Sequence, residues 1–295
     1  MKISLTTRQL ASLVLGFSLL LAISCTKETS QTTAEEQQEL EASQVTTESD
    51  AEAEIVFNDV FDDAMGVNDE VGIEGTGTLN RITPCYTITV TRLNPPDLFP
   101  VRIVIDFGTT GCRGLDGHFR KGKIITEYTK RLIVPGAVAT TTFDGFFVDS
   151  IKVEGTHKIQ NTSASNTAAR QFTVDVTGAK LTRPSGNYVE WRNHKVITQT
   201  EGQITVTPLD DIFRIEGTAS GKVKRGALIA AWESNILEPL IKKFSCRWIV
   251  KGKIRTVRGI NTNARWIAVL DFGSGNCDNQ ATVTINGVSQ QITLR

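Results

Sequence analysis

Histidine is nearly missing from this sequence: there are three, at positions 118, 157 and 194. None has a cysteine or a carboxylate cluster at ligand spacing beside it, which argues against a zinc site. The five cysteines leave none free to act as a nucleophile if one is acylated and four are paired, and no Gly-x-Ser-x-Gly is present. Asp-Phe-Gly occurs twice, at 106–108 and 271–273. Without a nucleotide loop, a catalytic HRD or a strand lysine of the VAIK type, a kinase is excluded. Lys plus Arg equals Asp plus Glu at 32 each. The basic residues alternate with apolar ones along extended segments and form no run, so they read as a solvated sheet face and not as a nucleic-acid surface. Nothing implies a cofactor. Paired carboxylates for sugar hydrolysis stay open, because separation in space decides that chemistry.

Residues 1–24 form a secretory leader: Lys2 and Arg8, then the apolar stretch Leu10–Ile23, which is too short to cross a bilayer. Leu21-Ala22-Ile23-Ser24-Cys25 resembles a lipobox, so cleavage before Cys25 and acylation of its thiol are expected. Acyl chains add ~0.8 kcal/mol per buried methylene, and two chains make a stable anchor. Residues 26–54 hold one lysine against nine acids and almost nothing to bury. With Cys25 they read as a disordered acidic tether, residues 25–54. A single domain, 55–295, follows. It opens on a short amphipathic helix in which Phe57, Val60, Phe61, Ala64 and Met65 share a face. That face packs on the domain or serves a partner.

From Val71 onward the period is two. In 85–92, Tyr86, Ile88 and Val90 alternate with Thr87, Thr89 and Thr91; in 151–160, Ile151, Val153, His157 and Ile159 line the apolar side. Half-buried antiparallel strands have this pattern. Turn signals punctuate them: Asn94–Asp97, Asp144-Gly145, Asn161–Ser163, Pro184–Asn187, Asn261–Asn263 and Asn286-Gly287. The best later helical window, Trp232–Lys243, is interrupted by Pro239. The fold class is all-β: an antiparallel meander of about a dozen strands in a wide curved sheet or open barrel. A two-sheet sandwich is the alternative.

DFGTTGC at 106–112 returns as DFGSGNC at 271–277, each after an apolar strand and each with a cysteine upstream, Cys85 and Cys246. This reads as two related cystine hairpins. Four cysteines allow three pairings, and the turns select among them. The midpoint of 246 and 277 falls within Asn261–Asn263. That of 85 and 112 falls near Asn94–Asp97 but is displaced, so a bulge or uneven loop is needed. The expected bonds are Cys246–Cys277 and Cys85–Cys112, permitted by export.

The succession PCYTITV, IVIDFGTTGC, RKGKI, VEGTHKIQN, FTVDVTGAKLTRPSG, IEGTASG, LIKKFSCRWIVKGKI and VLDFGSGNCDNQATVTING resembles a family of Bacteroidota lipoproteins without an assigned activity. The resemblance covers ~55–295 and carries over no functional residue. It implies an address: lipid-anchored at the outer membrane of a Gram-negative envelope, on the periplasmic face or the cell surface. Asp149-Ser150-Ile151 resembles the three-residue O-glycosylation signal of such envelopes, with Ser150 as acceptor. The other candidates are weaker. Trp191, Trp232, Trp248 and Trp266 could form a carbohydrate platform; Arg113 to Lys123, with His118, Arg120 and Lys121, could face an anion. Asp271, Ser274, Asn276, Asp278 and Asn279 could offer oxygens to calcium. His157 reads as a core residue. The expected function is a non-enzymatic, membrane-anchored protein that binds or scaffolds an envelope glycan, protein or apolar ligand. The alternatives are a glycan-acting hydrolase and a carrier holding an apolar ligand in the curved sheet.

Overall fold

The computed structural model describes residues 27–70, 86–114, 117–166, 169–203, 205, 208–259 and 265–294. It divides into a first unit ending at Glu41, whose described residues are helical, and a second, Ala42–Arg295. The helix α1 runs over Lys27–Glu70. Fourteen strands follow: β1 (Thr87–Arg92), β2 (Val101–Asp106), β3 (Cys112–Arg113), β4 (Phe119–Tyr128), β5 (Val138–Val148), β6 (Ile151–Asn161), β7 (Gln171–Thr182), β8 (Tyr188–Glu201), β9 (Ile212–Arg225), β10 (Leu228–Lys243), β11 (Ile249–Gly259), β12 (Arg265–Ser274), β13 (Gln280–Ile285) and β14 (Val288–Thr293).

All pair antiparallel with their chain neighbours in one sheet, except that β3 is a short spur on β4. Among the described residues the meander is open, with β1 and β14 as its two edges. The alternation predicted from sequence is visible as burial: in β7, Phe172, Val174 and Val176 are buried, and in β13, Ala281, Val283 and Ile285. The other face is wet and carries cross-strand ion pairs, among them Arg102–Glu127 at 2.6 Å and Lys180–Glu190 at 3.6 Å. Trp232–Lys243 lies within β10, and its ladder with β9 is broken between Asn235 and Leu240, around Pro239, which has no N–H to donate. Gly145, expected in a turn, lies inside β5 at a positive φ of 55°, where the pairing with β6 is irregular. It forms a bulge instead.

The helix departs furthest from expectation. Residues 27–54 are helical where a disordered tether was expected, and the unit that holds the sheet includes the helix from Ala42 onward, where residue 55 was the expected start. From Ala42 to Met65 the helix is mostly buried: Val45, Ala51, Ala53, Ile55, Phe57, Val60 and Phe61 join the core formed by the sheet's apolar face. Phe57 stacks on Trp191 with ring centroids 5.5 Å apart, Phe61 meets Phe172 and Phe213 edge-on, and the Tyr128 hydroxyl donates to the Ala64 carbonyl. Small side chains let the segment fit, and the hydroxyls of Thr46, Thr47 and Ser49 are satisfied within the helix: Thr46 donates to the Ser43 carbonyl at 3.0 Å, Thr47 to the same carbonyl at 2.8 Å and Ser49 to that of Val45 at 2.7 Å.

The repeat is structural. In both copies the Asp carboxylate accepts the Gly N–H two residues on, Asp106 from Gly108 at 2.8 Å and Asp271 from Gly273 at 2.9 Å. Phe107 and Phe272 enter the core. Each Asp faces a lysine of a neighbouring Lys-Gly-Lys: Lys123 at 3.4 Å and Lys253 at 3.6 Å. The glycines between those lysines, Gly122 and Gly252, have positive φ, and a Cβ there would lie 2.0 Å from the Gly145 carbonyl and 2.5 Å from that of Pro239. Cys246–Cys277 is formed, with Cα atoms 5.8 Å apart, and closes the open end of the β11–β12 hairpin, whose register pairs Ile254 with Leu270. Cys112 is disulfide-bonded. Cys85, Cys25 and the Asn261–Asn263 signal lie outside the described residues. Replacing Cys277 by serine, with Cys246 also changed, should cost ~3–4 kcal/mol in urea unfolding, the chain-entropy value for a loop of this length.

Candidate functional site

The chemistry of the described residues concentrates where the acidic face of α1 meets the sheet. Helix positions 48, 50, 52, 54, 59 and 62 are all acidic, and the bases that meet them come from the sheet or its loops. Arg225 lies 3.3 Å from Glu48, Arg183 pairs with Glu52, and Lys195 contacts Glu54. Farther along, Arg247 reaches Asp59 at 3.0 Å and Lys242 reaches Asp62 at 2.7 Å. Asp50 has different partners. Its Oδ1 accepts two indole N–H groups, from Trp191 at 2.8 Å and Trp232 at 3.0 Å. Register explains the convergence, since Trp191 and Trp232 both pair with Gly221 from opposite sides. A Cβ at Gly221 would come within 2.4 Å of the Trp232 ring.

Burial governs the electrostatics. Asp50, Glu54 and Lys195 are each about 3% exposed. Burial pulls the Lys195 ammonium down to about 7, against the opposing pull of the Asp50 charge. Burial raises the Asp59 carboxyl, and the charge of Arg247 opposes it. A cavity of only about 10 Å³ lies beside this cluster, where the β9–β10 ladder is broken; Asp50, Glu54, Lys195, Ser234 and Ile236 are among its lining residues. Asp50→Ala should cost about 3–5 kcal/mol in urea unfolding followed by tryptophan fluorescence, because two buried indole donors lose their acceptor and Lys195 loses compensating charge. Asp50→Asn keeps an acceptor oxygen and should cost about half as much.

His157 is a core residue, 1% exposed and stacked on Phe57. Among the described residues neither ring nitrogen has a hydrogen-bond partner, and burial pulls its pKa down to about 3, so the ring is neutral.

The other sequence candidates are separated. Trp191 and Trp232 are buried against the helix and form no exposed carbohydrate platform; Trp248 and Trp266 are partly buried against the core. In the 113–123 stretch, Arg113 bonds the Gly117 carbonyl, His118 pairs with Asp149, Arg120 is buried, and Lys121 lies over the Phe147 ring at 4.2 Å. Of the oxygens offered to calcium, those of Asp271 and Asp278 are used in turns: Asp271 caps Gly273 and Asp278 accepts the Gln280 N–H at 2.9 Å. Among the described residues, no group of three or more His, Cys, Asp or Glu comes together as a metal would need. Ser150 sits with Asp149 at the exposed tip of the β5–β6 hairpin, both at positive φ, 72° and 46°. Sequence reasoning missed Asp50, Glu54 and Lys195. The one available signal was the regular recurrence of acids from 48 to 62.

Comparison with known proteins finds no matching family, no similar curated sequence and no similar solved structure.

Proposed function

We propose that this protein is a lipid-anchored scaffold of a bacterial outer membrane, held through Cys25, which binds an envelope partner without turning it over. The observation that carries this reading is the occupancy of the sheet's apolar face by the chain's own helix. Residues 42–65 lie where a carrier would hold an apolar ligand, and six carboxylates fix them there. Recognition is then left to the wet face, the loops and the sheet edges. The basic leader and the LAISC sequence support the anchor.

Fatty-acid labelling of the full chain, compared with Cys25→Ser, tests the anchor: label should enter the parent and be lost from the variant. Equal labelling would remove it. Incubation of the full chain with envelope glycans should yield no product, whereas turnover abolished by replacing a single Asp or Glu would establish the hydrolase instead.

A further inference from the structure

Among the described residues the sheet ends at β14, and that edge is built unlike a protected one. The Asn286-Gly287 turn, with both residues at positive φ, joins β13 and β14 through two residues, so Ile285 and Val288 form a hydrogen-bonded pair. Leu294 donates to the Asn279 carbonyl at 2.8 Å, which keeps the same alternation to the far end. The N–H and C=O groups of Ser289, Gln291 and Thr293 therefore point away from β13. Among the described residues β14 pairs with β13 alone.

Exposed edges are normally guarded by charge, proline or a bulge. Val288-Ser-Gln-Gln-Ile-Thr293 has no charged residue and no proline, and its register with β13 is unbroken. Val288 is 68% exposed although it shares a face with the buried Ile285. At the opposite edge, β1 ends in Arg92, and Pro95, Pro96 and Pro100 lie in the loop that follows it.

We propose that β14 pairs antiparallel with β14 of a second copy of this chain, forming a two-fold dimer with one continuous sheet. The occupant follows from self-complementarity, which a two-fold interface requires. Full pairing of the outward groups forces the axis through Gln291. Gln291 then faces Gln291, and Ser289 faces Thr293, polar against polar with no like charges. On the inner face the exposed Val288 comes beside Leu294 of the second copy. The interface is small, which puts the dimer in the weak, concentration-dependent class. This inference does not depend on the scaffold reading and would survive its failure.

The test uses the full chain purified in detergent. Its mass by light scattering should rise towards twice the monomer with concentration. Directly opposed residues in a hydrogen-bonded pair have Cα atoms about 5.5 Å apart, within disulfide range. Gln291→Cys should therefore give a disulfide-linked dimer on mild oxidation, and Val90→Cys on β1 should not. Gln291→Lys and Gln291→Glu should each be monomeric alone and dimerise when mixed. A parent chain that stays monomeric at every concentration would overturn the proposal. So would equal cross-linking of the two cysteine variants, or cross-linking mainly between them, which would mean head-to-tail edge pairing.

Discussion

A chain beginning at Ile55 should not reach a stable fold, whereas one beginning at Gln38 should unfold cooperatively like the parent. Sequence alone recommends the shorter chain, since residues 26–54 look like a tether. The structure gives the opposite expectation. Removing residues before 55 takes away Asp50 and Glu54 and leaves Lys195 buried without its carboxylates. Uncompensated buried charge costs about 3–5 kcal/mol. The indole donors of Trp191 and Trp232 lose their acceptor, at about 1–3 kcal/mol each. Ala42, Val45, Ala51 and Ala53 also leave the core, exposing sheet surface that had been covered. The total is on the order of 10 kcal/mol, comparable with the whole stability of a typical domain. Near-ultraviolet circular dichroism and urea unfolding of the two chains would check it. Equal stability would mean that the first half of the helix contributes nothing to the fold.

Acid should unfold this protein partly through His157, and His157→Leu should resist it. The folded ring titrates near 3 and an exposed histidine near 6.5. Between these values the unfolded state binds a proton that the native state does not, so stability is fully present above pH 6.5 and falls as pH drops towards 3. The span corresponds to about 5 kcal/mol. Asp59 acts in the opposite sense: burial raises its folded pKa, so its contribution to stability grows as pH falls. The difference between parent and His157→Leu isolates the histidine. At pH 7 the leucine removes two unpartnered ring nitrogens and should stabilise by about 1–3 kcal/mol, a gain that widens steadily to pH 4. Urea unfolding at both values measures it. A constant gap would show that His157 titrates in the folded protein as it does in the unfolded chain.

What the sequence shows here follows the range of the interactions. Strand alternation is local, so Phe172, Val174 and Val176 could be assigned to the core by eye. The Cys246–Cys277 bond was legible because hairpin register is symmetric about its turn. Asp-Phe-Gly announced itself by repetition, and the matching Lys-Gly-Lys explains why: each copy is a capped turn with a bulge facing it. The helix was legible only where its own apolar spacing spoke, from Phe57 to Met65. Before that, burial depends on bases and indoles far along the chain, 131 residues from Glu52 to Arg183 and 141 from Asp50 to Trp191. A row of acids reads as solvated when its partners cannot be seen. His157 was assigned to the core, but its unsatisfied nitrogens required knowing what surrounds it.

Whether the acidic segment is structure or tether is decided most directly by amide hydrogen exchange on the full chain. The account predicts that amides from Ala42 to Met65 exchange as slowly as those of the central strands β7 to β9, losing protection only when the whole unit unfolds. Exchange of residues 42–54 at the rate of an unprotected chain, with the strands still protected, would contradict it.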